Sequence, residues 1–176
     1  MSQKYTPVNV EYINPFLTST LSVFRTMLNT EIERGQLYLK GHHKPDHEVS
    51  GIIGMSGKAV GTVVLSLSKE VALGAAEAML GEKHDEINAD VVDVVGELTN
   101  MIAGSAKAKL EQFAMSISLP NVVLGKNHTV AFPTGVTPFG IPFTTKWGEV
   151  CIDVGLCEKM ASTEAGAAET PEEVSV

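Results

Sequence analysis

Long hydrophobic runs are missing from this 176-residue chain. No stretch approaches the roughly 18 continuous apolar residues of a membrane span, and the segment from Met1 to Pro7 lacks the apolar centre of a secretory signal. The expectation is a cytoplasmic protein with no membrane partner. Cysteine is scarce too. Cys151 and Cys157 fall on what reads as one strand, where a rise of about 3.3 Å per residue sets them roughly 20 Å apart. They cannot bond each other without breaking that strand, and they read as small buried hydrophobes in a reducing compartment. Basic residues are outnumbered, with 13 Lys and Arg against 21 Asp and Glu for a net charge of −8, and none cluster among aromatics. That argues against nucleic acid as a partner.

What is present suffices for one core. At 44% hydrophobic, the chain reads as a single domain over residues 1–158. From Cys157 onward it carries five acids and one Lys, so residues 159–176 read as an acidic, disordered tail.

Periodicity supplies the elements. Asn14-Pro15 looks like an N-cap and a first-turn proline, opening a helix to about Asn29 with Phe16, Leu17, Leu21, Phe24 and Leu28 at helical intervals. Strands are expected over 35–40 and 47–67, the latter folded at Ser56-Gly57-Lys58. Ser68 starts a second helix that Gly81 ends. Asn88 caps a third, running to about Gln112, with Asp90 in its first turn where the dipole favours negative charge. Short strands over 115–119, 122–124, 129–132, 141–146 and 150–156 follow, separated by Pro and Gly. Helices punctuated by groups of antiparallel strands predict an α+β two-layer sandwich, a mainly antiparallel sheet packed with long helices. Each half reads as a long helix followed by strands, a pseudo-duplication.

The third helix carries the chemistry-bearing pattern, Asp93-Val-Val-Gly-Glu97-Leu-Thr-Asn100. At about 100° per residue, Asp93, Glu97 and Asn100 project from one side, and Asp90, Gly104 and Lys107 extend the stripe. Val91, Val94, Val95, Leu98, Met101, Ile102 and Leu110 fill the other side. A carboxamide is a poor base but a good positioner, able to accept a hydrogen bond from water while its NH₂ donates elsewhere, which suits in-line attack on phosphorus. A nearby carboxylate can pair with a cation on a partner and fix the register in which the amide enters a foreign active site. The plain alternative is a solvated helix face. Gly104, one turn beyond Asn100, leaves room for another backbone to approach.

The stretch from Asp93 to Gly104 resembles the motif helix of the CheC/CheX/FliY family of bacterial chemotaxis phosphatases, the CheX type most. The likeness extends to Asn14-Pro15-Phe16, to Gly51-Ile-Ile-Gly54 with Gly61-Thr-Val-Val-Leu65, and to Pro142-Phe-Thr-Thr145, covering roughly residues 8–157. It implies a CheC-like fold and an enzyme that removes the aspartyl phosphate of a phosphorylated CheY-like response regulator. Glu97 and Asn100 would then be the catalytic pair, Asn100 orienting water and Glu97 meeting the regulator's lysine. Asp93, Gly104 and Lys107 would bind the partner. The protein would hold no cofactor of its own, the regulator's Mg²⁺ neutralising phosphoryl charge. A CheX-type protein is further expected to be a homodimer, for which an exposed edge strand offers a route. Pro120 stands near the proline of the wider family pattern. The first helix carries no Glu-x-x-Asn, so a single site is implied. The competing class is a binding module that holds a phosphorylated regulator, or a flagellar-switch-like component, without catalysis.

Other patterns carry less. His42, His43 and His47 with Asp46 could meet a metal in a flexible loop, but adjacent His42 and His43 would point apart on a strand, and a polar loop is the simpler reading. No metal site is expected. His84 and His128 read as surface residues. The run Gly51 to Lys58 lacks the spacing of a phosphate-binding loop, and no Ser/His/Asp or Cys/His arrangement stands out.

Overall fold

Apolar or small residues at every second position set the frame. Strand β4 (Val49–Ser56) turns Val49, Ile53 and Met55 to one side, and β5 (Ala59–Leu67) turns Ala59, Val63, Leu65 and Leu67 to the same side, where all are buried in the core. In a computed structural model of the protein, which describes residues 5–7, 12–41 and 44–159, these two strands form a hairpin closed at Gly57-Lys58. Gly57 takes a φ of +155°, with Ala114 and Met115 backbone where a Cβ would sit, so only glycine fits.

A second hairpin, β8 (Phe139–Thr145) and β9 (Gly148–Lys159), lies beside it through β5–β9 pairing, Val63 opposite Val154. Short strands line the outer edges. β2 (Glu33–Arg34) and β3 (Tyr38–Leu39) both pair with β8, while β6 (Ser116–Ile117) and β7 (Asn121–Leu124) both pair with β4; β1 (Tyr5–Pro7) joins the end of β9. All the pairings are antiparallel. Across the sheet the order β2-β8-β9-β5-β4-β6 reads the same when the halves are exchanged. Each half's leading strands edge the other half's hairpin, so the expected pseudo-duplication is an exchange across the sheet rather than two side-by-side units.

Three helices cover one face. Helix α1 (Asn14–Leu28), α2 (Lys69–Leu80) and α3 (Ala89–Ala108) contribute Phe16, Phe24, Val71, Ala75, Val95, Leu98 and Ile102 to a core shared with Ile141, Ile152 and Val154 of the sheet. α3 lies between the other two. The helix borders follow the expected Ser68, Gly81 and Asn88, and Asn29, near the expected end of α1, closes it with a φ of 45°. Two borders differ. α1 starts from Ile13, with no side-chain cap, and Asn14 is already helical because buried Ile13 anchors the entry. α3 stops at Ala108 rather than Gln112. Leu110 and Phe113 turn into the core through a 3₁₀ turn, Glu111–Phe113, and the Phe113 ring meets Tyr12 edge-on at 4.9 Å.

The opposite face of the sheet is covered by irregular chain. Residues 129–132, expected as a strand, form no ladder; Ala131 accepts a hydrogen bond from Thr62 Oγ1, and Phe132 packs where a Cβ on Gly155 would fall. His128, read as exposed, is half-buried, its ring contacting Ser50 Oγ at 3.0 Å. His84 is half-buried as well, against Asn88. Lys40, 2% exposed, reaches Asp153 at 2.5 Å and Asp46 at 2.8 Å beneath the same cover. Cys151 and Cys157 are free and buried on β9, as expected. β9 includes Lys159, the first residue assigned above to the tail; the rest of that segment, with His42 and His43, lies outside the described residues. Among the described residues, no helix is long and apolar enough to cross a membrane.

Candidate functional site

The polar stripe sits on a helix fixed along its whole length. At the start of α3, the Asn88 side chain accepts a hydrogen bond from the Val91 amide at 3.1 Å, and such caps contribute about 1 kcal/mol. In the middle, a Cβ on Gly51 of β4 would overlap Thr99, so the absence of that side chain lets α3 settle onto the sheet immediately beside Asn100. Thr99 turns its hydroxyl to the Val95 carbonyl at 2.7 Å, satisfying the one polar group it buries. Towards the end, Ser19 of α1 bonds Ser105 at 3.0 Å, and Lys109 donates to Thr18 and Ser19.

These supports leave the stripe facing outward. Asp90, Asp93 and Glu97 are exposed; Asn100, Gly104 and Lys107 are half-buried. Among the described residues, neither Glu97 nor Asn100 is engaged in a side-chain hydrogen bond or ion pair, so both are available to a partner. The two are about 4.5 Å apart along the helix axis. Gly104 and Lys107 line an open groove of about 410 Å³ with Glu111, Met115 and Ile117. Gly104 was expected to admit another backbone, yet a Cβ there would meet only Ile117, at 3.9 Å. Its openness is therefore not used inside this chain.

The sequence left one feature of the site unlocated, the link between β6 and β7. A Cβ on Gly96 would lie 3.6 Å from Pro120 and 3.7 Å from Val122, so this link runs along α3 opposite α1. Pro120 thus packs beside the very helix that bears the motif, at Gly96, the residue before Glu97. In the sequence only Pro120, near the place of the proline in the wider family pattern, pointed to it.

Metal-ligand atoms close enough to share an ion occur elsewhere among the described residues, at Asp46, Cys151 and Asp153. There the Lys40 ammonium already contacts both carboxylates. Burial alone would lower the Lys40 pKa, but hydrogen bonds to Asp153 and Asp46 hold it above the ordinary lysine value. Burial raises Asp153, which Lys40 only partly offsets. Burial also pushes up the Asp46 carboxyl, but hydrogen bonds from Lys40, Cys151 and Tyr38, together with the Lys40 charge, hold it below the ordinary carboxylate value. This cluster is an internal ion pair on the far side of the sheet. It does not join the stripe.

The family model for the chemotaxis phosphatase CheX matches residues 49–144, more than half of the chain. The chain belongs to the CheX family. The match begins on β4 and ends on β8, so α3 and the link bearing Pro120 lie wholly inside it. The CheY-P phosphatase CheX of Thermotoga maritima is 28% identical over 123 residues, covering 68% of this chain and 79% of that one. Among solved structures, a CheC-like superfamily protein from Shewanella sp. PV-4 superposes with a TM-score of 0.77 at 38% identity, covering 85% of this chain and 99% of its own. CheX in the CheX–CheY–BeF₃–Mg²⁺ complex from Borrelia burgdorferi superposes with a TM-score of 0.71 at 27% identity, covering 84% and 99%. The α+β sandwich with its exchanged halves is thus the CheC-like fold.

Proposed function

We propose that this protein dephosphorylates a phosphorylated CheY-like response regulator in bacterial chemotaxis, with Glu97 and Asn100 entering the regulator's active site. The observation that carries this is the pair itself, polar side chains without internal partners on the outward face of a helix anchored at both ends and in the middle. The Thermotoga relative is a CheY-P phosphatase, and the Borrelia relative is held in complex with CheY, BeF₃ and Mg²⁺. Both support reading the stripe as a docking face for a regulator.

The chemistry is hydrolysis of an acyl phosphate. A water oxygen forms a bond to phosphorus while the bond from phosphorus to the aspartate oxygen breaks, giving inorganic phosphate and a free carboxylate, with the water's proton leaving to phosphate or solvent. Asn100 accepts a hydrogen bond from that water through its carbonyl oxygen and holds it in line. Glu97 pairs with the regulator's lysine and sets the depth at which Asn100 enters. Asp93, Gly104 and Lys107 flank the pair as contacts for the regulator's surface. Mg²⁺, bound by the regulator, would neutralise charge on the phosphoryl oxygens. The protein would work in the cytoplasm as a homodimer.

The test is phosphate release from a phosphorylated CheY-type regulator with Mg²⁺ present, comparing wild type, Asn100→Ala and Glu97→Ala. Acceleration by wild type, lost in both variants while the fold is kept, supports the reading. Binding of the regulator without acceleration would replace it with the non-catalytic module.

A further inference from the structure

Leu119 is 86% exposed, the most exposed of the large hydrophobic residues among those described. It is not a loose loop tip. The Ser118 amide donates to the Gly54 carbonyl at 2.9 Å, the Gly54 amide donates back to Ser118 Oγ at 3.0 Å, and the Ser118 hydroxyl donates to the Leu119 carbonyl at 2.8 Å. On its other side, Pro120 restricts the Leu119 backbone to extended conformations and packs toward Gly96. The side chain is therefore presented to solvent from a pinned backbone.

Its position is fixed by the contacts on either side. Ile117 approaches Gly104 and Pro120 approaches Gly96, so the intervening Ser118-Leu119 lies at the level of Asn100, midway between those glycines on α3. At 100° per residue, Asn100 is rotated from Gly96 by about 40°, towards the outward face and still next to the link. Ser105, which bonds α1, is on the opposite flank. Leu119 and Asn100 are thus neighbours on one continuous surface.

We infer that Leu119 is an apolar docking contact for the response regulator, inserting beside the regulator's phosphorylation site as Asn100 enters it. This rests on the proposed phosphatase reading. Continuity with the Glu97–Asn100 face favours the regulator as occupant, and the pinned backbone means little ordering cost on binding. Water-exposed in the free protein and covered in the complex, Leu119 would contribute to affinity for the regulator and not to the chemical step.

The experiment measures KM and kcat for release of phosphate from a phosphorylated CheY-type regulator, prepared with a small-molecule phosphodonor and assayed with Mg²⁺. Leu119→Ser should raise KM roughly tenfold or more, since burying a leucine side chain is worth that much in affinity. Its kcat should stay within about twofold of wild type, as expected for an interaction made equally in ground and transition states. Leu119→Met, apolar and of similar volume, should keep a near-wild-type KM. Leu39→Ser, at a 62% exposed leucine on the opposite sheet edge, should leave both constants unchanged. An unchanged KM in Leu119→Ser, a fall confined to kcat, or an equal loss in Leu39→Ser would each overturn the inference. Failure of wild type to release phosphate would instead overturn the phosphatase reading on which it rests.

Discussion

In the proposed mechanism Asn100 carries no charge and does not titrate, so its whole contribution would be the placement of a water molecule. Asn100→Ala should slow phosphate release by about 10²-fold or more while regulator binding persists, because loss of positioning acts on the attack and not on docking. Rapid-quench measurement of phosphate at saturating protein would check this. In the same proposal Glu97 would act on the partner's cation, and Glu97→Ala should weaken capture of the phosphorylated regulator as well as its turnover. Their common outward face was legible in the sequence because helical spacing is a local property: Asp93, Glu97 and Asn100 share a face whatever the rest of the chain does. Leu119 was not legible. Nothing in Ser118-Leu119-Pro120 says which helix lies beside it, and that depends on packing between Gly96 and Pro120.

Elements decide whether the face holds still. Asn88→Ala removes a cap from the start of α3 and should cost about 1 kcal/mol of unfolding free energy in urea, with little change in turnover, since Asn100 lies about 18 Å further along the axis. Gly51→Ala differs in kind. The added methyl overlaps Thr99, lifts α3 from β4 at the residue before Asn100, and should cost about 1–3 kcal/mol together with a marked loss of activity. Parallel urea titrations and phosphate-release assays on the two variants would separate them. The caps at Ser68, Asn88 and Gly81 were readable because each involves a few adjacent residues. The end of α3 was not, because burial of Leu110 and Phe113, rather than any helix-stop signal, turns the chain at Lys109. Residues 129–132 had strand-like composition, but β4, β5, β8 and β9 already fill the sheet positions, leaving that segment to cover the reverse face.

At the scale of the whole molecule, the reverse face is closed around an ion pair between residues far apart in the chain, Lys40 and Asp153. Lys40→Met would leave Asp153, 1% exposed, without its cation, and should cost about 3–5 kcal/mol at neutral pH. Burial already raises the Asp153 carboxyl, and losing Lys40 raises it further, so the penalty should shrink on acidification as Asp153 takes up a proton. On the alkaline side the sign reverses. Lys40 is held above its ordinary value of about 10.4, so wild type keeps this contribution in full below that pH and loses it as pH rises towards the folded value. Urea unfolding of wild type and Lys40→Met between acid and alkaline pH would show the difference between the two curves narrowing at both ends.

Hydrophobic period, capping residues and the spacing of Glu97 and Asn100 were determined by the sequence alone, because each acts over a turn of helix or a pair of strands. The tertiary structure decided what needs contacts between distant segments. It exchanged the halves across one sheet, seated α3 over Gly51, brought Pro120 beside Gly96, and buried Lys40 against Asp153. Those outcomes depend on which surfaces can be covered at once by a single chain, a condition no local pattern of residues contains.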